Sequence, residues 1–293
     1  MQSVSKLTFF SLYATICLIW GSTWLVIRLG TDASLPPFAA ASMRFFLATT
    51  LLWSFVLYKK IALPRSRSSW GAVILIGFLT NGLQFGIVYW ASRFIPSGLE
   101  AVIFGTMPLF TAVIAHYHLP GDHLTRTRIT GIIIGVIGIA TIFLPQFSEV
   151  RGEALGPMVL IVIAPMLGAV SAVITKKKTH DIPAVTLNAV TTVVGAVLLG
   201  IVSLASEPLE KIQLTQAQIG PVLYLAIIGT IVTFGIYFKL IKMTSAVTMS
   251  FVSVITPAIA VILGWIVLGE KLDAYEISGS TLVLVGTAIS LRM

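Results

Sequence analysis

Ten stretches of mainly apolar residues follow one another along the 293-residue sequence, near 7–28, 38–58, 70–91, 97–118, 129–145, 155–175, 183–205, 219–239, 246–268 and 274–292. An α-helix needs about 20 such residues to cross a hydrocarbon core about 30 Å thick. Most of the stretches are bounded by proline, glycine or clusters of charge, the residues that end helices. Ten spans use about 200 residues and leave about 9 for each connection or terminus, so no separate soluble domain fits. The balance of residue types agrees: 57% are hydrophobic and 10% charged, where a soluble chain carries about 25% charge. A soluble enzyme, a disordered tail and a nucleic-acid binder are excluded. The expected fold class is an all-α integral membrane protein, with the lipid bilayer as its constant partner.

The net charge of +8 therefore concerns sidedness. With a cytoplasmic N-terminus, thirteen Lys and Arg residues fall in cytoplasmic segments and five on the opposite side, with Arg44 inside a span. This bias follows the positive-inside rule and predicts a multi-pass protein of the inner (plasma) membrane with both termini cytoplasmic. An odd number of spans would scramble it. Cys17, the single cysteine, excludes an intrachain disulfide. The stretch after Lys6 is too long for a signal peptide and reads as the first span.

Sliding the sequence on itself by 149 residues aligns Phe85-Gly86-Ile87 with Phe234-Gly235-Ile236, Arg93 with Lys242 and Pro108 with Pro257. At an offset of 148, Gly121-Asp122-His123-Leu124 falls on Gly269-Glu270-Lys271-Leu272, and Gly131 and Gly138 fall on Gly279 and Gly286. Five spans per half make the second copy enter the membrane from the opposite face. The expected domains are a first repeat over 1–146 and a second over 147–293, an inverted pair of the kind that secondary transporters use.

These residues also resemble a known family. Trp20-Gly21-Ser22-Thr23, Met43-Arg44-Phe45, Pro96-Ser97-Gly98 leading to Pro108, Pro257, and Gly269-Glu270-Lys271-Leu272 are similar to the EamA family of the drug/metabolite transporter superfamily. The resemblance covers nearly the whole chain. It implies ten transmembrane helices in two inverted five-helix repeats, a central substrate cavity, and export of amino acids or other small metabolites. Asp122 replaces the glutamate usual after the glycine, and Glu100 stands where a small residue is usual.

Polar residues inside the spans are the candidate site. Arg44 lies about 10 Å into the second span at 1.5 Å per residue, a depth at which ionisable groups face a bundle interior or a watery cavity. It is either a gate or anion anchor, or a structural arginine bonding helix-end carbonyls. Glu100 completes an S-x-x-E capping box with Ser97 or serves as a proton-coupling carboxylate near the outer mouth. Asn81 and Gln84, three apart and so on one helix face, contact either substrate or a neighbouring helix, beside a Gly82-x3-Gly86 packing pattern. Trp20 and Trp24 share a face, with Ser22 and Thr23 close by. Met249, Ser250, Ser253 and Thr256 precede Pro257 at helical spacing, and Phe104 and Met107 precede its counterpart Pro108. Paired helix breaks at corresponding positions point to a central site. An aromatic lining of Trp20, Trp24, Tyr89, Phe104 and Tyr237 suits a solute with an apolar part.

The spacing of His116, His118, Asp122 and His123 matches no closed metal motif, and neither a metal nor a cofactor is expected. Gly131, Gly135 and Gly138 read as a packing surface. No phosphate loop is present, so the solute or ion gradient must drive transport. A membrane-embedded enzyme and a passive channel are the alternatives. The spans lack H-E-x-x-H and G-x-S-x-G motifs and any repeated pore filter or charged ring. The reading is a secondary transporter, not an enzyme, acting as a monomer or weak homodimer on a small-molecule metabolite, with no nucleic-acid partner.

Overall fold

The computed structural model describes residues 5–32, 35–94, 100, 103–121, 125–142, 144–145, 155–208, 210, 216–259 and 273–291. The regular elements among these residues are helices, with no strand. In chain order the helices are α1 (Lys6–Asp32), α2 (Pro37–Tyr58), α3 (Arg67–Ala91), α4 (Met107–His118), α5 (Arg126–Ile142), α6 (Ile163–Lys178, after a short helix Leu155–Ile161), α7 (Ala184–Ser206), α8 (Gln216–Leu240), α9 (Ala246–Ile259) and α10 (Ala274–Leu291). Among them, six stretches are long and apolar enough to cross a membrane: Lys6–Ile27, Pro37–Tyr58, Arg67–Ala91, Val159–Lys178, Ala184–Ser206 and Gln216–Leu240. Two more apolar helices, Ala246–Ile259 and Ile277–Ser290, are shorter. Large apolar side chains such as Phe10, Phe46, Leu57, Ile201 and Leu204 face outward, as they must in a chain bathed in lipid rather than water.

The helix ends follow local chemistry. α2 and α7 both start after a proline in extended conformation, Pro36 (ψ 139°) and Pro183 (ψ 139°); proline's missing N–H is no loss in a first turn. Pro36 has no side chain that caps α2. Glu207, just past the end of α7, does so instead: its two carboxylate oxygens accept from the Phe38 and Ala39 amides, each at 2.8 Å. Ser203 Oγ donates to the same carboxylate at 2.7 Å. Ser66 caps α3 and Ser245 caps α9 by accepting the amide three residues on. α2 ends in a Schellman turn: Lys60 takes the left-handed conformation (φ 50°) and Ile61 N–H reaches back to Val56 O at 2.9 Å.

Glycines set the closest helix contacts. α5 and α10 pack backbone to backbone. A Cβ on Gly131 would lie 2.5 Å from Gly286 O, and one on Gly286 would lie 2.6 Å from Gly131 O. Gly138 and Gly279 are related in the same reciprocal way, at 2.7 and 2.6 Å. Glycines also bring α3 onto α7, where a Cβ on Gly77 would meet Thr191 Cα at 2.9 Å and one on Gly82 would meet Leu198 Cδ2 at 2.5 Å.

Both α3 and α8 depart from α-helical geometry at mid-length. Phe78–Gln84 and Ile227–Val232 are π-helical, a wider winding that recurs at functional sites. In α8, Thr230 and Thr233 donate their hydroxyls five residues back, to Leu225 O (2.8 Å) and Ile228 O (2.6 Å). Asn188 Nδ2 of α7 donates to the Thr230 and Ile231 carbonyls, both at 3.1 Å. Polar side chains thus answer carbonyls in and beside the wide turn that regular winding would have occupied.

The largest buried cluster among the described residues draws on α1, α3, α6, α7, α8 and α9. It contains Tyr13, Ile16, Cys17, Val73, Ile76, Leu187, Phe234, Tyr237, Phe238 and Met249. It sits toward the start of α1, where the Tyr13 hydroxyl donates to Thr248 O at 2.9 Å. Beyond it, near Trp20, the bundle opens into a cavity.

Candidate substrate cavity

The cavity has an empty volume of about 950 Å³, open space at its mouth included. Phe234, Tyr237, Phe238 and Met249 form its floor and belong also to the buried cluster beneath. Trp20 of α1 stands over that floor, its ring 5.2 Å from Phe234 and 5.5 Å from Tyr237 between centroids. Its indole Nε1 donates to Gly229 O at 3.4 Å. Phe85 of α3 and Phe234 of α8 approach to 6.1 Å across the cavity's base.

Arg44 is the charged residue among the described residues of the wall. It is 1% exposed and is held by neutral groups. Nε donates to Thr230 Oγ1 at 2.8 Å, Nη2 to Gly229 O at 3.2 Å, and Nη1 to the Tyr89 hydroxyl at a long 3.5 Å. Its Cζ lies 4.8 Å from the Phe85 ring centroid and 5.2 Å from that of Phe45, within cation–π range. The π segment of α8 therefore supplies two of its three acceptors.

Most other polar groups on the wall are spent locally. Thr23, Ser250 and Ser253 donate to carbonyls three residues back at 2.7 Å each, and Thr80 Oγ1 donates to Ser171 Oγ at 2.6 Å. The Gln84 amide makes no hydrogen bond among the described residues, and its Oε1 is buried. Gly168 of α6 leaves room for it, since a Cβ there would lie 2.9 Å from Oε1.

Of the residues the sequence pointed to, Trp20, Arg44, Gln84, Phe104, Met107, Tyr237, Ser253 and Thr256 line this cavity. Three others point elsewhere. Asn81 is buried against α7, where a Cβ on Gly195 would meet its Cβ at 2.6 Å. Tyr89 is buried behind Arg44. Ser22 bonds Ile19 O at 2.7 Å and the Tyr224 hydroxyl at 2.6 Å, away from the wall. Trp24 lies on α1, but its side chain falls outside the described residues. Glu100 is 1% exposed and is not on the wall; Ser97, its expected capping partner, is outside the described residues, as are Asp122 and His123. The wall residues Thr80, Phe85, Ser171 and Phe234 were not among the expected ones. Phe85 and Phe234 did carry a signal, as equivalent members of the Phe-Gly-Ile repeat.

Residues 9–144 match the EamA-like transporter family, and residues 155–292 match it again. The chain belongs to the EamA-like transporter family. Its relatives include YedA, an uncharacterized inner membrane transporter of Escherichia coli (strain K12), 32% identical over 94% of this chain and 88% of that protein. YoaV, an uncharacterized transporter of Bacillus subtilis (strain 168), is 24% identical over 93% of this chain and 92% of its own. An S-adenosylmethionine/S-adenosylhomocysteine transporter of Chlamydia muridarum is 26% identical over 86% and 82%. A crystal structure at 17% identity superimposes over 99% of this chain and 100% of its own with a TM-score of 0.81, which shows a shared fold. With its apolar spans, this EamA-like protein is a multi-pass membrane protein.

Proposed function

We propose that the chain is a secondary transporter that exports a small metabolite, an amino acid or a related compound, across the inner membrane by alternating access. The observation that carries this reading is the even division of the cavity wall between residues 1–146 and 147–293. In this reading those halves are two five-helix repeats of inverted topology, with ten crossings, both termini cytoplasmic, and a central site that each side reaches in turn. The protein acts as a monomer or weak homodimer.

Several features support the repeat. α3 and α8 are each 25 residues long and both start and end 149 residues apart, the offset of the sequence match. Their π segments begin at Phe78 and Ile227, again 149 apart. The reciprocal Gly131–Gly286 and Gly138–Gly279 contacts are those that a two-fold axis between α5 and α10 requires. Residues 9–144 and 155–292 each match the family. The inner membrane comes from the name of the E. coli relative. The Chlamydia relative is named for S-adenosylmethionine, a solute built on an amino acid.

Trp20, Gln84, Phe104, Met107, Tyr237, Ser253 and Thr256 contact the solute in this reading. Glu100, which is buried, carries the coupled proton. Counterflow of radiolabelled amino acids and a broad metabolite panel in proteoliposomes tests the transport reading, and movement of none of them would end it. Glu100→Gln should spare exchange but abolish stimulation by an inward proton gradient. Unchanged stimulation would leave Glu100 a structural residue.

A further inference from the structure

We propose that the cavity recognises a carboxylate on its solute and that Arg44 is the residue that holds it, an inference that rests on the transport reading only for the solute's presence in this cavity. A buried guanidinium is costly to desolvate unless an opposite charge and well-placed hydrogen bonds answer it. Arg44 is 1% exposed, yet its described bonds run to two hydroxyls and one backbone carbonyl, all neutral. No carboxylate among the described residues pairs with it. Two of its five N–H donors have no acceptor there, and the side chain lines the cavity.

The surroundings hold the guanidinium in place without neutralising it. The Phe45 and Phe85 rings favour a cation beside them. Thr230 and Gly229 fix the group from the π turn of α8. What this arrangement lacks is an anion, and a carboxylate matches the planar fork of a guanidinium through two parallel N–H···O bonds. The remaining wall is mainly aromatic and aliphatic, including Trp20, Phe85, Phe234 and Met107, so it takes the apolar body of the same solute. Gln84, whose amide has no partner among the described residues, offers a second polar contact. A cationic solute would meet Arg44 as a like charge in a low-dielectric site and be disfavoured. A purely structural Arg44, tying α2 to α8, predicts the same aversion to cations but no direct bond to a carboxylate, and Arg44→Lys tells the two apart because an ammonium keeps the charge and loses the planar fork.

Three probes with one ring separate these readings. 3-Phenylpropionate carries only a carboxylate, L-phenylalanine a carboxylate and an ammonium, and phenethylamine only an ammonium. Binding of each to the purified full-length protein in detergent is measured by isothermal titration calorimetry near neutral pH. Both carboxylates should bind at least about tenfold more tightly than phenethylamine, a difference of about 1.4 kcal/mol. Arg44→Gln, checked for folding by its gel-filtration profile, should lose that preference, and Arg44→Lys should keep its sign with weaker binding. Equal affinity for the three probes, no binding of either carboxylate, or an unchanged preference in Arg44→Gln would each overturn the proposal. If Arg44→Gln does not fold, Arg44→Lys decides, since carboxylate binding as tight as in the wild type would overturn the role given to the guanidinium fork. Carboxylate-selective binding without counterflow would remove the transport reading and leave this one standing. Counterflow with no preference for carboxylates would do the reverse.

Discussion

Glu207, half-buried just past the end of α7, and Arg44, fully buried in α2, are both charged, but Glu207 finds its donors inside the protein and Arg44 does not find an anion. The Glu207 carboxylate takes the Phe38 and Ala39 amides at the start of α2 and the Ser203 hydroxyl, so it fixes the first turn of the helix that carries Arg44. Glu207→Ala should destabilise the protein by about 1–3 kcal/mol, the range for losing a cap with charge-assisted bonds. The readout is a lower thermal midpoint in detergent, with Glu207→Gln falling between because it keeps one acceptor. An unchanged midpoint in Glu207→Ala would remove the cap from the account. Nothing in the sequence announced this pair, because its members stand 169 and 168 positions apart and local spacing carries no information at that range. Arg44, by contrast, was legible: an ionisable residue deep in an apolar span demands an interior or a cavity. Asn81 and Gln84 show where such reasoning fails. Three apart on an α-helix they share a face, but they lie in the π-helical stretch of α3, whose wider winding rotates one away from the other. Gln84 reaches the cavity and Asn81 packs on α7.

Among the elements, α5 and α10 make the tightest use of glycine. A Cβ on Gly138 would meet Gly279 O and Val283 N at 2.7 Å and Leu282 Cβ at 2.9 Å. Two of those atoms are backbone and cannot swing aside, so the helices themselves would have to separate. Gly138→Ala should cost about 1–3 kcal/mol, as overpacking does. Gly71 and Gly235 sit in α3 and α8 with nothing within 4 Å of an added Cβ. Alanine there should be neutral or stabilising by up to about 1 kcal/mol, from helix propensity alone. Comparing the three thermal midpoints in detergent isolates the contact from the general effect of losing a glycine; a Gly138→Ala midpoint no lower than the other two would count against the close packing. The small-residue spacing of Gly131, Gly135 and Gly138 was readable as a packing surface, whereas its partner was not, since a sequence motif names a face and not what meets it. The π segments were not readable at all. Apolar helices are hydrophobic on every side, so they carry no polar period whose slip would mark a change of winding.

At the scale of the molecule, the proposed inverted repeat makes a demand that no duplicated bundle of parallel copies would make. α3 and α8 start at Arg67 and Gln216, equivalent positions at the offset of 149, and an odd number of spans per repeat sends equivalent positions to opposite faces of the membrane. The positive-inside count predicts a cytoplasmic start for α3, because Lys59, Lys60, Arg65 and Arg67 cluster there, and the proposed repeat then has α8 start outside. Ser66 and Gln216 are both exposed, so a cysteine at either position is open to a reagent on its own side. The native Cys17 is buried and is replaced by alanine to clear the background. In intact cells, a membrane-impermeant maleimide should label Gln216→Cys directly and Ser66→Cys only after the membrane is permeabilised. Each helix thus carries its own control, because permeabilisation must expose both. Labelling of the two from the same face would make the repeats parallel and remove the two-fold axis between α5 and α10. The cavity shared by the halves would remain, but the mechanism built on their exchange of roles would not.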